Sequence, residues 1–126
     1  MMLPRDLRYT REHEWVRVEG DRMTIGVTDF AQSQLGDVVF VELPAVGEDI
    51  EAGATLASIE SVKAVSDVYA PVKGHIVAVN DDLEHSPEYV NQDPYGKGWI
   101  AVIESDQEQL SGLLTPEEYE PLTERA

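Results

Sequence analysis

The stretch IESVKAVSDVYAPVKGHI, Ile59 to Ile76, sets one of the chain's three lysines between two runs of strand type. Residues 54–60 alternate Leu56, Ser58 and Glu60 against Thr55, Ala57 and Ile59, and residues 65–70 form a second run of strand type that ends at Pro71. The four residues between them, 61–64, have the length of a hairpin connection. We therefore expect Lys63 at the tip of a β-hairpin, projecting into solvent.

A lysine at such a tip is better suited to attachment than to catalysis. No neighbour in the sequence would desolvate its amine and no second cation stands beside it, so the usual routes to a nucleophilic lysine are missing. Another enzyme could acylate the amine with a long prosthetic group, and the lysine stem would then become part of a flexible arm on a rigid scaffold. The tip position alone also fits an ordinary surface lysine.

The rest of the chain is mostly strand-sized in its pattern. Residues 15–18 and 23–27 flank a Glu-Gly-Asp turn and predict a second hairpin, and further strands are predicted at 37–43, 74–80 and 99–104. Thr28 predicts the N-cap of a short helix that ends at Gly36. Capping-box spacings that begin at Ser105 and Thr115 predict two short C-terminal helices, the second with Pro116 at its first position.

The amino-acid composition argues against several classes of function. The 126 residues suit one domain, and 9 basic against 25 acidic side chains give a formal net charge of −16. That balance argues against nucleic-acid binding and against an anionic membrane surface. It favours a soluble monomer whose field attracts basic patches on partners. The absence of cysteine excludes disulfides, thiolate metal sites and a cysteine nucleophile.

No catalytic or metal-binding motif stands out. His13, His75 and His85 lack metal-ligand spacing, and a surface position is favoured for His13. Phosphate-cradling glycine loops and a nucleophile elbow are also missing from the sequence. No apolar run is long enough to cross a bilayer, and the N-terminal residues lack a secretory signal, so we expect a cytoplasmic protein.

The residues around Lys63 resemble the lipoylation site of the glycine cleavage system H-protein family. The resemblance rests on ESVKA at 60–64 and SDVYAP at 66–71. It extends to HEWV at 13–16, GVTDFAQ at 26–32, LGDVVFVELP at 35–44 and SPE with VNQDPYGKGW at 86–99. It covers residues 7–119 or so, nearly the whole chain. Biotin carriers usually set their lysine between two methionines, and the lipoyl domains of 2-oxo acid dehydrogenases lack the HEW block and the C-terminal helices.

The resemblance implies a mainly β fold. We expect a lipoyl/biotinyl-domain-like flattened barrel or sandwich of two antiparallel sheets, with short flanking helices that include the C-terminal ones. It implies a single lipoyl-bearing domain over residues 1–126, with a lipoyl-like core at about 22–104 and a C-terminal helical segment at about 105–123. Lipoate would be joined by an amide bond to Lys63, and the protein would be a non-catalytic carrier.

The resemblance also implies partners. Glycine decarboxylase (the P protein) would load the lipoamide arm on Lys63 with an aminomethyl group, and aminomethyltransferase (the T protein) would receive it. Dihydrolipoamide dehydrogenase (the L protein) would reoxidise the arm, and a lipoyl-attaching enzyme would install it.

Matching positions give candidate site residues. Recognition by the lipoyl-attaching enzyme would involve Glu60, Ser61, Val62 and Ala64. Glu14 and Asp67 would contact the amine of the docked arm, since carboxylates hold a cationic amine by charge-assisted hydrogen bonds. Gln34 stands at a third docking position, where some relatives carry histidine.

Two alternatives remain open at the level of sequence. The same carrier could act as a relay that donates lipoate to other enzymes, which an assay of transfer to a dehydrogenase lipoyl domain would detect. It could instead be an unmodified H-like binding module, which would tolerate Lys63→Arg.

Overall fold

The computed structural model describes residues 3–123, and within that range nine strands form two antiparallel sheets. The strands are β1 (Arg8–Tyr9), β2 (Glu14–Glu19), β3 (Arg22–Val27), β4 (Val38–Glu42), β5 (Asp49–Ile50), β6 (Thr55–Ser61), β7 (Val65–Tyr69), β8 (Gly74–Val79) and β9 (Ala101–Glu104). The first sheet has the order β1-β2-β3-β9-β8-β5 and the second has the order β4-β6-β7.

Three short α-helices lie outside the sheets, namely α1 (Asp29–Leu35), α2 (Tyr89–Gln92) and α3 (Pro116–Tyr119). Short 3₁₀ helices cover Asp81–Glu84, Gln107–Gly112 and Glu120–Thr123. The prediction of a mainly β protein with two antiparallel sheets and short flanking helices is therefore confirmed. In the part of the chain that the structure describes, no helix is long and apolar enough to cross a membrane.

The strand predictions are confirmed to within two residues at their ends, because each rested on a short run of strand-forming residues, several of them bounded by turn residues. The two-residue strands β1 and β5 were missed, as were the turn Asp81–Glu84 and α2. Elements that short contain too few residues to display a period. The one-domain prediction over 1–126 stays a prediction, and residues 1–2 and 124–126 lie outside the described residues.

The core has two parts. The larger lies between the sheets and is built from side chains such as Ile25, Ile59 and Ile103, all fully buried. The smaller packs Leu7, Tyr9, Trp15 and Tyr119 together, and so fixes α3 against β1 and β2. Because Tyr119 enters this second cluster from the far end of the chain, the C-terminal segment is part of the fold rather than an appendage.

The start of α1 was predicted correctly. Thr28 is its N-cap, and its Oγ1 accepts a hydrogen bond from the backbone N–H of Ala31 at 3.2 Å. Gly36 ends the helix with φ of 76°, a left-handed conformation that favours glycine.

The second C-terminal cap was predicted correctly and the first was not. Thr115 and Glu118 form a capping box. The backbone N–H of Glu118 donates to Thr115 Oγ1 at 3.2 Å, and the backbone N–H of Thr115 donates to Glu118 Oε1 at 2.9 Å. At the other position the N-cap is Asp106 instead of Ser105, and the helix that follows is 3₁₀. The hydroxyl of Ser105 donates instead to the carbonyl of Lys73, so it is not available to cap a helix.

Candidate functional site

Lys63 lies at the tip of the β6–β7 hairpin, as predicted. The last strand pair is Glu60 opposite Val65, and the backbone N–H of Ser61 donates to the carbonyl of Ala64 at 2.8 Å. Only Val62 and Lys63 lie between Ser61 and Ala64, and both side chains are exposed. The amine of Lys63 is therefore accessible to another protein.

The side chain of Ser61 holds this tip in shape. Its Oγ accepts hydrogen bonds from the backbone N–H groups of Lys63, at 3.3 Å, and Ala64, at 3.1 Å. Within residues 3–123, His13 is the only residue other than glycine that has a positive φ. The hairpin tip therefore does not use the left-handed turns that are common in two-residue hairpins. A hydroxyl that satisfies two turn amides is the means by which this tip is ordered.

The hairpin tip is also braced from the side. The backbone N–H of Val62 donates to the carbonyl of Asp37 at 3.0 Å, and Ser61 pairs with Val38 across β4 and β6. The segment that leads from α1 into β4 therefore supports the residue next to Lys63.

That supporting segment is clamped by Asn91 on α2. Its Oδ1 accepts from the backbone N–H of Val38 at 2.8 Å, and its Nδ2 donates to the carbonyl of Gly36 at 2.9 Å and to Gln32 Oε1 at 3.0 Å. The amide therefore satisfies a backbone group at each end of the segment 36–38. Nothing in the local sequence of Asn91 indicated this role, because its partners lie 53–59 residues away.

The stem of Lys63 runs past the end of α1. A Cβ placed on Gly36 would lie 3.4 Å from Lys63 Cε, so the aliphatic part of the lysine lies close to this glycine while the side chain as a whole remains exposed. Long lysine stems commonly cover a surface in this way while the amine stays in water. The lysine thus leaves the hairpin on the side where α1 ends.

A cavity of about 210 Å³ opens beside the hairpin, between β7, α1 and the turn before β2, and we call it the α1–β7 cavity. Its apolar lining comes from Val27, Phe30, Ala31, Leu35, Ile59 and Val68. Its polar lining comes from Glu12, His13, Glu14, Gln34, Ser66 and Asp67. The structure therefore brings all three predicted docking positions, Glu14, Gln34 and Asp67, to one cavity. Asp67 follows Lys63 by four residues, or about 13 Å along an extended strand.

Glu14 is a buried carboxylate, only 2% exposed. Its Oε1 accepts from the hydroxyl of Thr10 at 2.5 Å, and its Oε2 accepts from the backbone N–H of Tyr69 at 3.1 Å. Burial raises the pKa of Glu14, and these two hydrogen bonds oppose the rise without cancelling it. A cation that entered the cavity would favour the charged carboxylate.

Asp67 and Gln34 lie at the exposed edge of the same cavity. Asp67 is on β7, opposite Ser58, and its side chain is exposed. Gln34 is exposed on the last turn of α1. The α1–β7 cavity thus has one carboxylate removed from water and a second at the solvent boundary.

His13 also lines this cavity, and the prediction that it is a surface histidine is wrong. It is half-buried, its ring centroid lies 4.8 Å from that of Phe30, and its Nδ1 is 2.8 Å from the hydroxyl of Tyr119. Its φ of 70° is rare outside glycine. Burial lowers the pKa of His13, and the nearby Glu12 carboxylate raises it. Sequence could not reveal this position, because Tyr119 is 106 residues away.

The four predicted recognition residues surround the lysine. Val62 and Ala64 flank it and are exposed, with Val62 at 68% exposure. Glu60 is exposed on β6 between Phe40 and Val65, both large exposed apolar residues on the neighbouring strands. A protein that reaches the amine of Lys63 would contact this outer face. Within residues 3–123 no group of three or more histidine or acidic side chains is arranged to hold a metal ion.

Comparison with known families gives a match over almost the whole chain. A family described as glycine cleavage H-protein matches residues 7–126. The chain is 57% identical over 123 residues to the glycine cleavage system H protein of Anoxybacillus flavithermus, with 97% of each chain covered. It is 55% identical over 125 residues to the protein of the same name from Bacillus subtilis, with 98% of each covered.

A solved structure agrees with these matches. The crystal structure of a glycine cleavage system H protein from Mycobacterium marinum superposes with a TM-score of 0.85 at 39% sequence identity. The superposition covers 94% of this chain and 97% of that one.

Proposed function

The chain belongs to the glycine cleavage H-protein family, and on that premise we propose that it is a lipoyl carrier of the glycine cleavage system. Lipoate is joined in this proposal by an amide bond to the Nζ of Lys63. The chain acts as a carrier component and leaves the catalysis to its partners. The single lipoyl-bearing domain extends over residues 1–126 in this proposal.

The observation that carries the proposal is the position of Lys63. It is exposed at the tip of a hairpin ordered by Ser61 and braced through the N–H of Val62, so the amine is accessible while its anchoring backbone is fixed. A carrier needs both properties, because attachment and delivery require access and positioning requires a rigid base. The exposed flanks at Glu60, Val62 and Ala64 are the surface by which the lipoyl-attaching enzyme recognises the site.

The residues near the tip fit a lipoyl group. When bound, the dithiolane of lipoate supplies a reversible disulfide–dithiol couple at the end of the lysine arm. The α1–β7 cavity has an apolar wall that can shelter a hydrocarbon chain from water, including Phe30 and Leu35. Glu14 and Asp67 in the same cavity can hold a cationic amine by charge-assisted hydrogen bonds. Gln34 offers an uncharged donor and acceptor at its edge.

The charge of the chain supports transient docking to several partners. We propose that the P, T and L proteins present basic surfaces around their active-site entrances, which the net charge of −16 would attract. Association steered in this way weakens as salt increases, because exposed charges are screened over about 8 Å at physiological ionic strength.

The test is intact mass combined with peptide mapping of the protein from a host that makes lipoate. We expect one lipoyl group, on the peptide that contains Lys63. Lys63→Arg is the matched control, because it keeps the charge and cannot form the amide; it should remain unmodified and folded. An unmodified lysine in the presence of an active attaching enzyme and available lipoate would refute the carrier function and favour an unmodified binding module.

A further inference from the structure

We propose that Tyr119 is a positioning residue that holds His13 at the wall of the α1–β7 cavity as a neutral imidazole with its proton on Nε2. The hydrogen-bond relay itself can be tested on the unmodified protein. Only its consequence for a docked arm rests on the function proposed above.

The geometry begins with the hydroxyl of Tyr119. This residue ends α3, is fully buried, and stacks on Tyr9 with ring centroids 4.7 Å apart and an interplanar angle of 8°. The stacking fixes the direction of the phenol. Its oxygen lies 2.8 Å from His13 Nδ1 and 2.7 Å from Thr28 Oγ1, so the hydroxyl bridges the cavity wall and the N-cap of α1.

The proton directions follow from satisfying Thr28, which is fully buried. Its Oγ1 already accepts from the backbone N–H of Ala31. Among residues 3–123, Tyr119 is the other hydrogen-bond partner of this hydroxyl, so the proton of Thr28 goes to the phenol oxygen. Tyr119 then donates to His13 Nδ1. A neutral imidazole carries one N–H, which is therefore on Nε2.

Protonation of His13 would break this relay. It would add an N–H on Nδ1 that points at the phenol oxygen, so the proton of Tyr119 would have to turn toward Thr28. The proton of Thr28 would then have no acceptor in a site closed to water, and buried polar groups without partners are strongly disfavoured. The relay therefore opposes the charged form of His13.

The charges around His13 act in the opposite direction. Glu12 and Glu14 stand on either side of it in the chain, and Asp67 faces the same cavity from β7. From α1 the neighbours are Phe30 and Gln34, which carry no charge. The carboxylates favour protonation, whereas burial and the relay oppose it. The pKa of His13 is lowered, which agrees with burial and the relay outweighing the carboxylates.

The consequence concerns what the cavity can hold. A cationic imidazole would occupy the carboxylates and repel a second cation. A neutral imidazole leaves Glu14 and Asp67 available for a cationic amine brought by the lysine arm. Tyr119 does not line the cavity, so it would act on the arm only through His13.

The experiment is ¹⁵N NMR of the imidazole nitrogens of the unlipoylated protein between pH 4.5 and 8. In the wild type we expect the Nε2–H tautomer of His13. In Tyr119→Phe, which keeps the stacked ring, we expect a mixture of tautomers and a His13 titration midpoint at higher pH. Tyr9→Phe is the matched control, because it removes a hydroxyl from the other ring of the same stacked pair, and that hydroxyl donates to the carbonyl of Pro4. It should leave the tautomer and the titration midpoint of His13 unchanged.

An Nδ1–H tautomer in the wild type, or equal effects of Tyr119→Phe and Tyr9→Phe, would overturn the relay. The link to the arm is measured separately with lipoylated protein charged with the glycine-derived amine. Tyr119→Phe should shorten the lifetime of this charged form, and Tyr9→Phe should not. An altered tautomer with an unchanged lifetime would overturn the positioning role, and failure of Lys63 to accept lipoate would leave the NMR result unaffected.

Discussion

The carboxylate of Glu14 accepts a hydrogen bond from the backbone N–H of Tyr69 at 3.1 Å, which joins the first sheet to the hairpin that carries Lys63. Glu14 is on β2 and Tyr69 ends β7, in different sheets. The contact places a buried carboxylate at the α1–β7 cavity and fixes the base of the hairpin with the same atoms. Glu14 therefore both supports the hairpin and supplies a carboxylate to the proposed docking site.

Glu14→Gln should stabilise the protein at neutral pH. Burial raises the pKa of Glu14 in the folded state, so the native protein binds this proton more readily than the unfolded chain does. The stability linked to the proton is present below the unfolded pKa, near 4.5, and is lost as the pH rises through the higher folded value. Glutamine has no charge; its oxygen can keep the bond from the N–H of Tyr69, and its NH2 group can donate to the hydroxyl oxygen of Thr10.

Urea unfolding of Glu14→Gln and wild type at pH 4 and pH 7 measures this effect. The variant should have the higher midpoint at pH 7, and the difference should shrink toward pH 4. Glu51→Gln, at an exposed position outside the α1–β7 cavity, is the control and should show no such trend. A difference of the same size at both pH values would contradict the linkage.

Loss of either cavity carboxylate should shorten the lifetime of the charged carrier. Glu14→Gln and Asp67→Asn remove charge with little change of shape. A charge-assisted hydrogen bond contributes about 1.5 kcal/mol or more, so we expect roughly a 10-fold faster loss of the amine to water. Asp49→Asn, an exposed carboxylate outside the cavity, is the control. If both cavity variants keep the wild-type lifetime, the docking proposal fails.

Asn91→Ala should loosen the support beneath Lys63. It leaves the backbone N–H of the buried Val38 and the carbonyl of the half-buried Gly36 without the partners they have now, and an unsatisfied buried group costs about 1–3 kcal/mol. We expect a lower free energy of unfolding and slower lipoylation.

The comparison variant is Asn91→Asp, which keeps the acceptor for Val38 and loses the donor to Gly36. Its second carboxylate oxygen would face the carbonyl oxygen of Gly36 and repel it, so we expect this variant to be no more stable than Asn91→Ala and to be lipoylated no faster. Equal lipoylation rates in all three proteins would show that this clamp does not position the tip.

Moving the lysine by one position should abolish lipoylation without unfolding the domain. Val62→Lys combined with Lys63→Ala places the amine where the backbone is bonded to Asp37, and a shift of one residue changes the direction of a side chain at a hairpin end. Mass spectrometry after incubation with the attaching enzyme reports modification, and circular dichroism reports folding. Normal lipoyl transfer to the shifted lysine would disprove this prediction.

Gly26→Ala should destabilise the second core cluster. Gly26 faces Trp15 across β2 and β3, and an added Cβ would lie 2.5 Å from the indole ring. The ring cannot withdraw without losing its Nε1 bond to the carbonyl of Pro94, 3.0 Å long. Overpacking of this kind costs about 1–3 kcal/mol. Gly112→Ala, where a Cβ meets open space, should change the urea midpoint far less.

Local patterns account for what could be predicted. Short runs of strand-forming residues between turn residues located the longer strands, Thr28 and Gly36 bounded α1, and the spacing from Thr115 to Glu118 predicted the last capping box. The prediction for Ser105 failed because two possible caps stand side by side, and a tertiary contact with Lys73 decided between them. The resemblance around Lys63 led to the hairpin tip, while the roles of Asn91 and Tyr119 rest on partners more than 50 residues away.

Local sequence patterns were enough to predict the mainly β architecture, the hairpin with Lys63 at its tip and the family. These depend on periods of two, on caps and on short motifs, all of which are read within a few neighbouring residues. In contrast, the burial of Glu14 against Tyr69, the position of His13 at a cavity and the bond between Tyr119 and His13 result from tertiary packing. Burial and hydrogen bonding between distant segments are set when the sheets pack, and no local pattern encodes which partner a side chain will meet.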